Sequence, residues 1–541
     1  MNKVEFTRGR LRPWFVAGEL AGLTIDGELI PMPALGLETE LGVAVSGGPF
    51  CLRGAVDELL ARREHVPADA RGNSIEADRM FSPLGSSYRE GDHVEVNTWL
   101  HRSAAGARLN LEHLLEQVEQ LAARCEVPIL LHALGTDGFG ASWSSLHCNV
   151  PISDRTYLGV LARQSLGPLV FDFYLPAELS LGVIDGNGGV GSDGYLLNDR
   201  TDAFDCVFGM GTMRPSRAMV VDRPEGFGTA RNMGMLRALS FGDASVLGLA
   251  LHQMTILILE LAVHGVLRLP RLALADPLRA GVELARHGNR FAAARVQLEV
   301  QHIRRSVWDE LDRELGAAIA TQLLPDMPRH LDAADATLAA VLRDDEAELI
   351  VRCDWERKRH VLESARRASV WQDDRARLME LNVHYARLDR RALRHAFAAS
   401  ALAPAPALTP VPTDTSSWLL AAVVERALVD RAWHAALRAA TLSWRGIKMQ
   451  SPAALYRLGC WPQARSCVRA IELVPWAFTK RTVGAQVAAA RDLDELLDAL
   501  GSRTEVIGDY AGRRHERTTP ARTQRRPDSG PGGSCDGTDD D

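Results

Sequence analysis

Lysine is almost missing from this chain. Of 62 basic residues only Lys3, Lys358, Lys448 and Lys480 are lysines, and the rest are arginine. Acidic residues outnumber the basic ones, 69 to 62, and the net charge of −7 argues against a general nucleic-acid binder. Cysteine is sparse and scattered: the eight residues (51, 125, 148, 206, 353, 460, 467 and 535) include no Cys-x-x-Cys. Neither a disulfide framework nor a structural zinc site is expected, and a reducing, cytoplasmic setting fits. The N-terminus begins polar and charged, without the apolar core of a signal peptide. The most apolar run, Val246 to Val263, carries His252, Gln253 and Glu260. It reads as a buried helix and not as a span, so no membrane is implied.

What remains is ordinary globular material. A chain of 541 residues with 46% hydrophobic and 24% charged content has room for one large domain and a smaller one. The pattern divides it into an N-terminal extension (1–35) and a main domain (36–400). A Pro/Ala linker (401–415), a small terminal domain (416–503) and a tail expected to be disordered (504–541) follow. From Pro277 to about Ser400 the pattern is helical and heavily charged.

The first chemical signal is Gly36-Leu37-Glu38-Thr39-Glu40-Leu41-Gly42-Val43. Strand alternation puts Glu38 and Glu40 on one face. An inward carboxylate pair needs a positive partner, for which a divalent cation is suited; an edge strand with a solvated acidic face has the same pattern. A second acidic stretch holds Glu90, Asp92, His93 and Glu95, with Val94 and Val96 alternating against Glu95 and Asn97. A solvated hairpin looks similar, but two acidic strands so close in the chain favour a shared metal site.

Further on, a Gly/Ser loop runs into a strand carrying His147 and Asn149 on one face. Two neutral hydrogen-bonding groups at this spacing suit a nucleotide phosphate or base, whereas a lone His is more often a satisfied core residue. Gly186-Asn187-Gly188-Gly189-Val190-Gly191 is a formal match to the dinucleotide fingerprint. That reading requires a helix directly afterwards, and SDGYLLNDRTD has no helical stripe. A glycine loop lining an active site is expected instead. Arg214, Arg217, Arg223 and Arg231 follow in an irregular segment, suited to phosphate oxygens or simply to the surface.

In this order the segments resemble the Pup ligase and depupylase family (PafA and Dop), a branch of the glutamine synthetase-like carboxylate–amine ligases. GLETELGV resembles that family's first metal-binding strand, and SYREGDHVEVNT its second. GTDGFGASWSSLHCN, GNGGVG, the NDRTD at 198–202, RAMVVDRPE and SFGDAS are similar to its later loops. Asp354-Trp355-x-x-Lys358 and LSWRGIKM (442–449) match its D-W-x-x-K and terminal motifs. The likeness covers about residues 36 to 500.

The resemblance implies an α+β fold: a curved, largely antiparallel sheet forming a cradle, helices on its outer side, and a small C-terminal domain. It implies Mg²⁺ and ATP as cofactors, with Glu38, Glu40, Glu95 and Tyr88 toward the metal. Thr98, Trp444, His147, Asn149, Arg217 and Arg223 would face the nucleotide. The implied chemistry is transfer of the γ-phosphoryl of ATP to a carboxylate, giving an acyl phosphate from which an amine displaces phosphate; hydrolysis of such an amide is the related activity. The partner would be the prokaryotic ubiquitin-like protein Pup, or a small carboxylic acid and amine. The base would be Glu90, where the family has Asp, with Asp92 as a second candidate; the one-longer spacing of the ligase branch would instead place Arg89 there, which cannot act as a base at neutral pH. Ser86, Cys148 and Arg237 or Ala238 stand where the family has Arg, Glu and His, so a catalytically degenerate member that binds without turnover is the alternative.

Overall fold

The computed structural model of the chain describes residues 4–16, 18–45, 80–82, 85–90, 93–123, 129–132, 145–153, 155–156, 167–191, 194–200, 204, 206–209, 218–221, 231–233, 236–237, 243–272, 274–368, 418–433, 440–443, 446–450, 466–472, 480–500 and 503–507. An eight-stranded sheet lies at its centre. Its path runs Arg231–Met233, Ser145–Ile152, Gly36–Val45, His93–Thr98, Gly85–Glu90, Met80–Ser82. Leu236–Arg237 pairs with the second of these strands and Ile129–His132 with the third. Among the described residues every pairing in this sheet is antiparallel, and the path ends at two edges without closing into a barrel.

Alternation explains how this sheet is held. Leu37, Thr39 and Leu41 of the central strand are buried, as are Val94 and Val96 on one neighbour and Leu146, Cys148 and Val150 on the other. Two helices pack against these strands, Ala104–Ala122 and Asp243–Val263. The first buries Ala104, Ala107, Leu111, Leu114, Leu115, Val118 and Ala122, spaced at three to four residues as one helical stripe requires. Ser103 Oγ accepts from Gly106 N at 3.0 Å and caps its start.

The second helix is long and apolar enough to cross a membrane by composition, yet 89% of that window is buried inside the protein. Several of its polar residues face internal polar groups. Gln253 Nε2 donates to Pro33 O (2.6 Å) and Arg102 O (2.9 Å). Glu260 accepts from Ser153 N and Ser153 Oγ, both at 2.7 Å, and His252 Nδ1 lies 3.0 Å from Glu178 Oε1. Polar groups satisfied this way belong to a packed core.

Leu11–Val16, Glu19–Ile25 and Glu28–Pro31 form a three-stranded antiparallel sheet whose Leu11, Leu20, Leu23 and Ile25 join the same core, so the core continues across residue 35. Helices follow one another from Pro277–Ala285 to Asp354–Ala368. The remainder of that expected helical stretch, and the expected Pro/Ala linker, lie outside the described residues. Near the C-terminus Leu419, Val423, Val424, Trp433, Leu493 and Leu496 form a second, smaller core, to which Trp99 contributes. A four-stranded sheet there ends in Arg503–Ile507. The expected disordered tail therefore does not start at 504, because residues through Ile507 hydrogen-bond to the strand Ser466–Glu472.

Candidate active site

The face of the central sheet away from the apolar residues is polar, and register fixes which groups meet. Glu38 lies opposite Asn97 on one side and His147 on the other. Glu40 lies opposite Glu95 and Ser145, and Glu95 lies opposite Tyr88. Directly opposed residues share a face with their Cβ atoms about 4.5–5.5 Å apart. The two acidic strands are thus adjacent, and Glu38, Glu40 and Glu95 stand on one face.

Local contacts tie this face together. Glu95 is fully buried and its Oε1 accepts from Asn97 Nδ2 at 3.1 Å. Glu38 Oε2 accepts from Asn149 Nδ2 at 3.3 Å, and His147 Nδ1 lies 3.5 Å from the same oxygen. Glu40 and Glu95, directly opposed, repel each other. The guanidinium of Arg200, 1% exposed, stands 3.9 Å from Glu40 Oε2 and offsets that repulsion.

Glu90 is registered opposite His93 and in phase with Tyr88 and Ser86, which puts its position on the same face at the hairpin end. Thr98 is placed otherwise than expected of a nucleotide contact. It alternates with Val94 and Val96, its Oγ1 accepts from Leu37 N (2.9 Å) and donates to Trp99 O (2.9 Å), and it is buried. That is a tie between strands. Asp92, Arg217, Arg223 and Trp444 lie outside the described residues.

The glycine loop is a hairpin. Gly189–Gly191 pairs antiparallel with Gly194–Leu196, so a strand stands where a dinucleotide fold needs a helix. The hairpin is bound to the start of the helix Asp354–Ala368. Tyr195 Oη donates to Trp355 O (2.6 Å), Trp355 Nε1 to Val183 O (3.0 Å), and Lys358 Nζ to Gly188 O (2.7 Å) and Asn187 O (3.3 Å). Burial pushes the Lys358 ammonium below the ordinary lysine value, and Asp199 and Asp354 oppose that shift. Farther along, burial would raise Glu356, but the hydrogen bonds from His287 and Arg359 bring it down to about 2.

Carboxylate and carboxamide oxygens are the donors a hard cation takes, so Glu38, Glu40 and Glu95 with Asn97 and Asn149 suit Mg²⁺ by type. Among the described residues no three His, Cys, Asp or Glu side chains converge as a ready-made cation cage. This still fits Mg²⁺, which is commonly held by one or two carboxylates and completed by water and substrate phosphates. Sequence reading missed Arg200 and Asn97 as site residues. The period-2 phase with Glu95 could have found Asn97; the NDRTD segment at 198–202 holds Arg200, but its pairing with Glu40, 160 positions earlier, has no local signal.

A family model, "Pup-ligase protein", matches residues 61–447. Among solved structures, the complex between prokaryotic ubiquitin-like protein Pup and its ligase PafA is similar with a TM-score of 0.63 and 15% identity, covering 92% of this chain and 99% of that one. The Pup ligase PafA in complex with ADP gives 0.55 and 17%, covering 82% and 96%. No curated protein matches the chain in sequence. The structural likeness shows that the fold is the expected mixed helix and antiparallel-sheet architecture of PafA. Because the family match spans most of the chain, from within the segment before the second acidic strand to beyond the start of the terminal sheet, this protein belongs to the Pup-ligase family.

Proposed function

We propose that this protein is an ATP- and Mg²⁺-dependent carboxylate–amine ligase, or the corresponding amide hydrolase, acting on Pup or a Pup-like carboxylate. The observation that supports this reading best is the single acidic face on which Glu38, Glu40 and Glu95 meet from adjacent strands, with His147 and Asn149 beside Glu38. The neighbours bound to Pup and to ADP in the solved PafA structures point the same way.

The residues have separable tasks. Glu38, Glu40 and Glu95 would hold the metal, with Tyr88 at the next register position. Bound Mg²⁺ would neutralise the charge of a transferring phosphoryl group. Asn149 and His147 orient Glu38 and present hydrogen-bonding groups to a nucleotide, and Arg200 brings a guanidinium to the edge of the acidic face. In ligation a substrate carboxylate oxygen attacks the γ-phosphorus, ADP leaves, and an amine then displaces phosphate from the acyl carbon. Glu90, in phase with this face at the hairpin end, is the candidate to take the amine's proton.

The test is incubation of the purified chain with ATP, Mg²⁺, Pup and candidate acids and amines, read by mass spectrometry. Amide formation or cleavage, reduced roughly 10²–10⁴-fold in Glu90→Gln, is expected. A protein that binds ATP–Mg²⁺ and Pup without turnover would establish the second reading, a degenerate member, which draws on the Glu at position 90. A protein that binds neither ATP nor Pup would overturn both.

A further inference from the structure

Lys358 is almost fully buried, at 1% exposure. It reaches across 170 residues of sequence to cap Gly188 O at 2.7 Å, with Asn187 O at 3.3 Å. A buried ammonium is unfavourable unless it is well satisfied, and a lysine needed only to fill space is readily replaced by an apolar side chain. The charge itself therefore has a task at this turn. The turn is held tightly: Gly188 has φ +66°, and a Cβ there would come 2.1 Å from Tyr195 Oη and 2.9 Å from Trp355 Cα.

The hydrogen bonds continue from the turn to the sheet. Asn187 Nδ2 donates to Asp199 Oδ1 at 2.8 Å, and Asp199 N donates back to Asn187 Oδ1 at 3.3 Å. Arg200 N donates to Asn198 Oδ1 at 3.0 Å, and the Arg200 guanidinium faces Glu40 at 3.9 Å. One chain of contacts thus runs from a helix at 354–368 to a carboxylate at 40.

We propose that Lys358 is a positioning residue that locks the glycine turn, and through Asn187 and Asp199 holds Arg200 as the counter-cation of Glu40. Arg200 then shares this carboxylate with an incoming divalent ion. The inference rests on reading the acidic face as a metal–nucleotide site, but its test does not need turnover.

Mn²⁺ alone is the probe, titrated into the full chain without nucleotide and followed by electron paramagnetic resonance. Arg200→Gln removes the competing charge, so Mn²⁺ should bind about tenfold tighter. Lys358→Met, which keeps the stem but not the charge, should reproduce a large part of that gain. It should also speed amide hydrogen exchange at residues 186–200, which Arg200→Gln should leave slow. The double variant should be no tighter than Arg200→Gln alone, since both act through one guanidinium. Arg200→Lys should restore weaker binding. Additive effects, unchanged Mn²⁺ affinity in Lys358→Met, or a Lys358→Met protein that changes only in melting temperature would each overturn the proposal. So would an absence of Mn²⁺ binding in every form. Failure to bind ATP with these Mn²⁺ effects intact would instead overturn the ligase reading alone.

Discussion

The two faces of the central sheet are built from the same strands and differ only in alternate residues. On one face Leu37, Leu41, Val94, Val96 and Leu146 lie under two helices; on the other Glu38, Glu40, Glu95, Asn97, His147 and Asn149 gather. The first face supplies stability, since fully burying each such apolar side chain contributes roughly 1.5–3 kcal/mol. The second brings like charges into opposition, which a fold selected for stability alone would avoid. Two of the histidines, His101 and His147, show the same contrast. His101, beside the start of the covering helix, is fully buried, and desolvation pushes it down to about 3. His147 instead stands 3.5 Å from Glu38.

This contrast can be broken at several points. Leu41→Ala on the covered face should cost about 2–5 kcal/mol, read as a shift in the denaturation midpoint. If it costs less than a surface change, that face is not the stabilising one. Glu38→Gln on the acidic face should instead leave the denaturation midpoint close to the wild type and weaken ATP–Mg²⁺ binding by at least about tenfold, measured by calorimetric titration. A variant that unfolds and binds normally would reverse the assignment of the two faces.

A smaller effect concerns pH. The folded-state value of His101 lies below the unfolded value of 6.5, so the unfolded chain binds the extra proton between pH 6.5 and about 3. Its contribution is therefore intact above pH 6.5 and is lost progressively as pH falls toward 3. The difference in stability between pH 7.5 and pH 5 should shrink in His101→Gln, and an unchanged difference would show that another group carries it. Glu356 acts lower down: its depressed value means its contribution is present above 4.5 and is lost as pH falls through about 2. Glu356→Gln should flatten stability in that acid window only.

Much of the sheet was legible because period-2 alternation is a local property. The order of apolar and acidic residues in GLETELGV and HVEVNT already states that each strand has two unlike faces. The absence of a helix after GNGGVG was readable for the same reason, and the hairpin found there agrees. Thr98 shows the limit: its hydroxyl suits a ligand or a strand tie equally, and only the nearness of Leu37 N decides for the tie.

The sequence by itself determined that two acidic strands exist, that an apolar helix follows them, and that the motifs run in the order of the Pup-ligase family. Only the tertiary structure decided that Glu40 opposes Glu95, that Arg200 offsets them, and that a lysine far along the chain holds the intervening turn. The physical reason is that alternation and helical stripes depend on near neighbours in sequence. Register and charge pairing depend on which segments the buried core brings side by side, and no single segment carries that information.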